Sequence, residues 1–297
     1  AVVTAVIALP LIGNALGRPP RAGVALGLVR FGLPGQPAIL IVQAMQLLPR
    51  YVLAAFAPLS AVGLFGVGLR VAAVQRVFIH AFARAWNPFA FANEGAGDER
   101  RLYEIALRGA IGVVTWLSLV LSLFAPELLR LLAPSEYGAA AWLVPGIALH
   151  FAVDGLTPIF GTILYTRGAV KWTSYASAIR LAVFLVLSFA LVPAYSVTGL
   201  IVALLVSVAA QLVTYVVVSG RRFPIEFPWA RAGLVLAIDA AVYALATVWT
   251  GPLAAVLVWK SVLVVTTLAA SVAILLEPDD RRKLAARVSA IRRAASS

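Results

Sequence analysis

The sequence predicts an all-α protein, a polytopic bundle of membrane-spanning helices, and three observations carry that prediction. Of the 297 residues 62% are hydrophobic and only 12% charged, about half the charge a soluble domain uses to cover its surface. Apolar windows of about 20 residues, the length of helix that crosses a hydrocarbon core of about 30 Å, recur along the chain. The basic residues sit singly at the ends of those windows and favour alternate connections, which is how a membrane chain encodes its orientation.

The chain opens with AVVTAVIALPLIGNAL. No basic residue precedes this run, so it lacks the charged leader of a secretory signal, and residues 1–17 read as the remnant of a truncated helix. About eight complete spans follow, near 31–49, 60–83, 104–125, 139–165, 172–192, 196–219, 232–250 and 253–276. One set of connections receives Arg18, Arg21 and Arg30, then Arg84, Arg100, Arg101 and Arg108, then Arg167 and Lys171, then Arg221, Arg222 and Arg231; the other receives Arg50 and Arg130. The first set and the C-terminus are therefore expected in the cytoplasm, with the chain multi-pass in a cell membrane. The longest connection, NPFAFANEGAGDERRLYEIALR from Asn87, reads as a surface loop and a short amphipathic helix. The tail at 277–297 places Leu284, Val288 and Ile291 at helical spacing between basic residues. That pattern predicts a short helix on anionic headgroups, with membrane lipids as its partner. Trp116, Trp142, Trp172, Trp249 and Trp259 fall near proposed span ends, as interfacial anchors do.

The formal net charge of +12 does not point to nucleic acid, because the charge is scattered along the topology rather than gathered in a tract. The absence of cysteine excludes disulfides, thiolate metal sites and cysteine nucleophiles. No nucleophile elbow, P-loop or zinc-protease motif is present, and His80 and His150 lack partners at metal-ligand spacing. Composition thus points away from an enzyme and away from any cofactor or metal.

Ionisable side chains inside spans are costly and mark function by default. Asp154 and Arg180 lie in adjacent spans at similar depth, roughly 12–16 Å from their shared connection at 1.5 Å per residue, and are placed to pair. Asp239 and Lys260 in the last two spans differ in depth by about 6 Å and are placed to pair as well. Each pair reads either as charge neutralisation between packed helices or as a coupling element. The span near 60–83 holds Arg70 and Arg76, followed by His80 and Arg84, with no acidic residue in the segment. Arg76, His80 and Arg84 repeat at i+4 and form one basic stripe; Arg50, preceded by Gln43 and Gln46, adds to it from the neighbouring span. An unneutralised stripe of this kind invites an anion, and the planar guanidinium fork suits phosphate. The bland readings are that Arg84 snorkels to the interface and that Arg76 pairs with an acid of a missing part. Gly63, Gly66 and Gly68 read as close helix packing.

The order of RFGLPGQPAIL, PRYVLAAFAPLSAVGLFGVGLRVA and AFARAWNPFAF, with FAPELLRLLAPSEYGAAAWLVPGIAL and LVPAYSVTGLIVALLVSVAAQLV later in the chain, resembles the polysaccharide-repeat-unit flippases. These belong to the multidrug, oligosaccharidyl-lipid and polysaccharide exporter superfamily. The resemblance runs from about Arg30 to about Gly220 and departs from the family at Pro49, where an acidic residue usually precedes the arginine matched by Arg50. It implies that residues 18–219 are the six-helix second lobe of an exporter, that 220–276 add two C-terminal helices, and that a first lobe is missing. It further implies a flippase that carries a polyprenyl-pyrophosphate-linked glycan to the outer leaflet by alternating access. Arg50, Arg70, Arg76, His80 and Arg84 would then attract the pyrophosphate and sugar acids. Implied partners are the lipid-linked glycan, the missing lobe, a glycan polymerase and glycosyltransferases. A drug or ion exporter of the same superfamily would instead prefer cations and need Asp154 or Asp239 unpaired. A membrane glycosyltransferase or polymerase would need a large acidic loop.

Overall fold

The computed structural model describes Arg30 and residues 32–249 and 251–275. The expected helix remnant at 1–17 and the basic tail at 277–297 lie outside the described residues. Among the described residues the chain is helical throughout, without strands. Six helices are long and apolar enough to cross a membrane, or seven when one bent pair is counted as a single span.

Helix α1 (Gln36–Phe56) follows a short 3-10 turn at Leu33–Gly35 and carries Pro37 in its first turn, where a missing N–H costs nothing. Pro58 then opens α2 (Leu59–Ala72), which meets α3 (Val74–Ala92) at a 45° bend around Ala73. The expected span at 60–83 is therefore two helices. Glycine packing accounts for part of α2: a methyl group on Gly63 would touch Tyr137 at 3.4 Å and one on Gly68 would touch Leu143 at 3.4 Å, whereas Gly66 faces open space.

The connection from Asn87, expected as a surface loop and a short amphipathic helix, is mostly helix. Helix α3 runs through Pro88 to Ala92, and α4 (Glu99–Leu132) begins at Glu99, leaving only 93–98 as the connection, with Gly95 at φ +78°. Glu99 explains the compaction. It is buried, accepts from the Gly95 N–H at 3.0 Å and receives Arg167 Nη2 at 2.8 Å. With that partner its charge is satisfied close to a wall of aromatic rings, in which Trp86 meets Tyr103 edge-on at 4.9 Å.

Helix α4 is central. After it, Pro134 opens a 3-10 segment (Ser135–Leu143) that leads into α5 (Val144–Asp154) and α6 (Thr157–Thr166), each with proline in its first turn. Gly168 at φ +64° ends this run, as glycine does past a helix C-terminus.

The next element, α7 (Lys171–Gly220), comprises 50 residues with a non-helical break at Ser196, φ 49° and ψ −126°. A straight helix of that length would be about 75 Å long. Instead it folds back: Arg180 bonds Gln211 at 2.9 Å and Gln211 bonds Ser177 at 3.2 Å, pairs whose midpoints fall beside the break. Legs 171–195 and 197–220 are thus antiparallel neighbours. Helices α8 (Trp229–Val248) and α9 (Leu253–Leu275) are the last of the described elements and pack on each other and on α4.

Three apolar cores hold this arrangement. One joins α1, α2, α5 and α7 around Leu53, Phe65, Leu143 and Phe184; a second, at the other end, gathers Trp86, Tyr103, Phe160 and Leu164; a third seats α8 and α9 on α4 through Leu119, Leu123 and Leu263. Trp116 belongs to this third contact, donating to Val264 O at 2.9 Å. It is a packing residue in mid-helix, not the interfacial anchor expected of it. The connections at 93–98, around Arg167 and at 221–228 meet at one end of the bundle, tied by Glu99–Arg167, by Arg100–Glu226 at 3.7 Å and by Arg167 over the Phe223 ring at 4.6 Å.

Candidate functional site

A cleft enters the bundle between α1, α2, α3, α5, α6 and α7. Its inner chamber, about 330 Å³, is lined by Arg76 and His80 from α3, His150 and Asp154 from α5, and Arg180 and Tyr215 from α7. Gln43 and Gln46 of α1 face them, and the two amides bond each other at 3.1 Å. A second chamber of about 540 Å³ continues from it, the two sharing Val42, Gln43, Thr157 and Tyr215.

Asp154 and Arg180 pair as their depths predicted. Arg180 Nη1 donates to Asp154 Oδ1 at 2.5 Å and to Gln211 Oε1 at 2.9 Å. Nη2 lies 3.5 Å from His150 Nε2, whose Nδ1 is 3.2 Å from Leu204 O. A neutral ring protonated on Nδ1 satisfies both contacts, donating to the carbonyl and accepting from the guanidinium. The buried arginine is therefore held from three sides, while the Asp154 side chain keeps 37% of its surface open to the cleft.

Arg76 is different. Among the described residues it has no carboxylate within ion-pair distance, and its guanidinium rests over the Phe151 ring at 5.6 Å from the centroid. Among the described residues the chamber thus carries two arginines against one aspartate.

The other three expected anion ligands lie elsewhere. Arg84 follows His80 by four residues but is exposed and outside the lining. Each i+4 step turns a helix by 40°, so two steps from Arg76 carry Arg84 about 80° off the cleft face. Arg70 precedes the 45° bend and is exposed, and Arg50 sits exposed a turn beyond Gln46. The stripe contributes two of its members, Arg76 and His80.

The proposed pair of Asp239 and Lys260 does not form. Lys260 Nζ donates to Glu127 Oε1 and to Leu123 O, each at 2.6 Å, and lies 5.8 Å from the Phe124 centroid. The reason is azimuthal: α9 turns Lys260 toward α4 rather than toward α8. Asp239 stays buried with neither carboxylate oxygen hydrogen-bonded among the described residues. Sequence reasoning missed Glu127, which lies just beyond the expected span end, and Gln211, an uncharged residue that an inventory of ionisable groups passes over.

No protein-family model matches this chain, and no curated protein or solved structure is similar to it at a significant level.

Proposed function

We propose that this chain is a multi-pass membrane transporter of the flippase type, moving a polyprenyl-pyrophosphate-linked glycan from the cytoplasmic to the outer leaflet by alternating access. The observation that carries the reading is Arg76, a guanidinium without an ion-pair partner among the described residues, in a cleft inside an otherwise apolar helical bundle. An arginine at mid-membrane costs about 2.5–3.5 kcal/mol on insertion scales, which an anionic ligand offsets by taking the open fork. Arg76 and His80 contact the phosphates, with Arg180 behind them, held until a ligand competes with Asp154. Transport by this route forms and breaks no covalent bond, so the protein is not an enzyme.

In this reading the bundle crosses the membrane eight times, each leg of α7 and the bent pair α2–α3 counting once. The end holding 93–98, Arg167 and 221–228 faces the cytoplasm, because the arginines of the connections gather there. The exposed α1–α2 face with Arg50 and Arg70 meets the other lobe of the transporter. A cation exporter is the weaker reading, since Asp154, the one carboxylate lining the cleft among the described residues, is already neutralised by Arg180, and the unpaired Asp239 is outside that lining.

The test is a leaflet-exchange assay with a fluorescent lipid-linked oligosaccharide in proteoliposomes of the full-length protein. Arg76→Gln is expected to cut the flipping rate at least tenfold while reconstitution stays unchanged. Undiminished flipping by that variant sinks the anion-cleft mechanism.

A further inference from the structure

The second chamber of the cleft differs in chemistry from the first. No charged side chain lines it; its polar groups are hydroxyls and amides, and its apolar wall includes Phe91, Tyr165 and Tyr215. A volume of about 540 Å³ lies in the range of small-molecule sites, about 300–1,000 Å³. The hydrogen-bonding state of the wall is what selects an occupant. Thr157 Oγ1 donates to Asp154 O at 2.7 Å, and Thr173 Oγ1 donates to Val170 O at 2.7 Å. Their protons are committed to the backbone, so what they present to the chamber is lone pairs. Thr162 Oγ1 lies 2.8 Å from Pro158 O and 3.0 Å from Asn87 Oδ1. Its single proton serves one of those oxygens at a time; Pro158 O already takes a helix N–H, so the Asn87 amide and the Thr162 lone pairs are what remain for a ligand. Ser177 Oγ already accepts from Gln211.

A wall of neutral donors and acceptors, with no cationic side chain among its lining residues to compensate an anion, suits a ligand whose hydroxyls both donate and accept. Aromatic rings beside such acceptors add flat apolar surface against which the C–H face of a ring packs. We infer that this chamber holds an uncharged sugar unit, directly next to the phosphate held by Arg76 and His80. The inference rests on the anion reading of the inner chamber and narrows it. The charged group and a neutral, polyhydroxylated ring are adjacent in the same ligand, so the sugar nearest the phosphate is a hexose-like neutral residue and not a sugar acid. Expected sugar acids lie further along the glycan or are absent.

The experiment uses the full chain in lipid nanodiscs and compares the binding of inorganic phosphate, a hexose 1-phosphate and a hexuronic acid 1-phosphate. Two variants, Thr162→Val and Asn87→Leu, are both checked for an unchanged thermal transition. The expected result is that hexose 1-phosphate binds at least fivefold more tightly than inorganic phosphate or the hexuronate. In either variant that advantage shrinks by about three- to tenfold, the effect of losing one or two neutral hydrogen bonds, with phosphate affinity unmoved. Equal affinity for phosphate and hexose 1-phosphate overturns the sugar chamber and leaves the anion site standing, as does a preference for the hexuronate. Failure of all three phosphates to bind removes the anion site and this proposal with it. If one variant unfolds, the other decides.

Discussion

At the scale of single residues, the buried charges of this protein divide by whether a partner reaches them. Arg180 is held by Asp154, Gln211 and His150. Replacing it by alanine strands Asp154 beside a cavity, and the loss is expected to be about 2–3 kcal/mol. That is below the range for a fully buried pair because the carboxylate is partly open to the cleft. A thermal unfolding comparison in detergent measures it, and Arg180→Ala paired with Asp154→Asn should recover part of the loss. Asp239 predicts the opposite sign. Its carboxylate is buried without a hydrogen bond among the described residues, a desolvation cost with no return, so Asp239→Leu is expected to raise stability by about 1–3 kcal/mol. If that variant instead melts lower, Asp239 has a partner that stabilises it. The two pairs also show what sequence resolves. Depth in a membrane is linear in residue number, and it placed Asp154 opposite Arg180 correctly. Azimuth is not linear: Asp239 and Lys260 share a depth range, yet α9 turns its lysine to Glu127 on α4.

At the scale of elements, the turns were legible and the bends were not. Proline and glycine at 58, 134, 145, 158 and 168 sit where helices start or stop, and hydropathy located the last five apolar runs to within a few residues, whereas α1, α3 and α4 run seven to nine residues past the expected ends. The bend at Ala73 carries neither proline nor glycine, so nothing local announces it; Phe65 and Leu69 before the bend still line the cleft, while Arg70 is exposed outside the lining. The loop expected at 87–103 was misread because its acidic, glycine-bearing composition looks solvated, whereas Glu99 is buried by its pairing with Arg167. The hairpin of α7 was legible in Pro193 and Gly199. A methyl group on Gly199 would lie 2.5 Å from the carbonyl oxygen of Leu191, backbone that has little room to yield. Gly199→Ala is therefore expected to destabilise the protein by about 1–3 kcal/mol, read as a lowered unfolding temperature. Ser196→Gly, at the residue with φ 49°, is expected to be neutral or stabilising by about 1 kcal/mol. The reverse ranking of these two variants would mean that the hairpin turns elsewhere.

At the scale of the molecule, the account joins an apolar bundle, a basic end and a cleft with a charged chamber and a neutral one. The orientation is directly testable because the chain contains no cysteine, so single cysteines need no background removal. Cysteines at Gly95 and Arg221 are expected to react with an impermeant maleimide only from the cytoplasmic side, and cysteines at Ser135 and Gly251 only from the outside. Labelling of Gly95 and Arg221 from opposite sides would break the eight-crossing topology. The cleft itself was only half legible. Arg76, His80, Asp154 and Arg180 stood out because a charge in an apolar run is conspicuous, whereas the neutral chamber is built from threonine, asparagine and tyrosine side chains that are unremarkable one at a time and meet only in the folded bundle.

The most direct test of the central claim is the affinity of a polyprenyl-pyrophosphate-linked glycan for the chain in nanodiscs, measured for the native sequence and for Arg76→Gln. Saturable binding is expected, weakening at least tenfold in the variant, about 1.4 kcal/mol or more, at unchanged thermal stability. Equal affinity in the two proteins would contradict the anion cleft, because Arg76, without an ion-pair partner among the described residues, would then have no part in holding an anion.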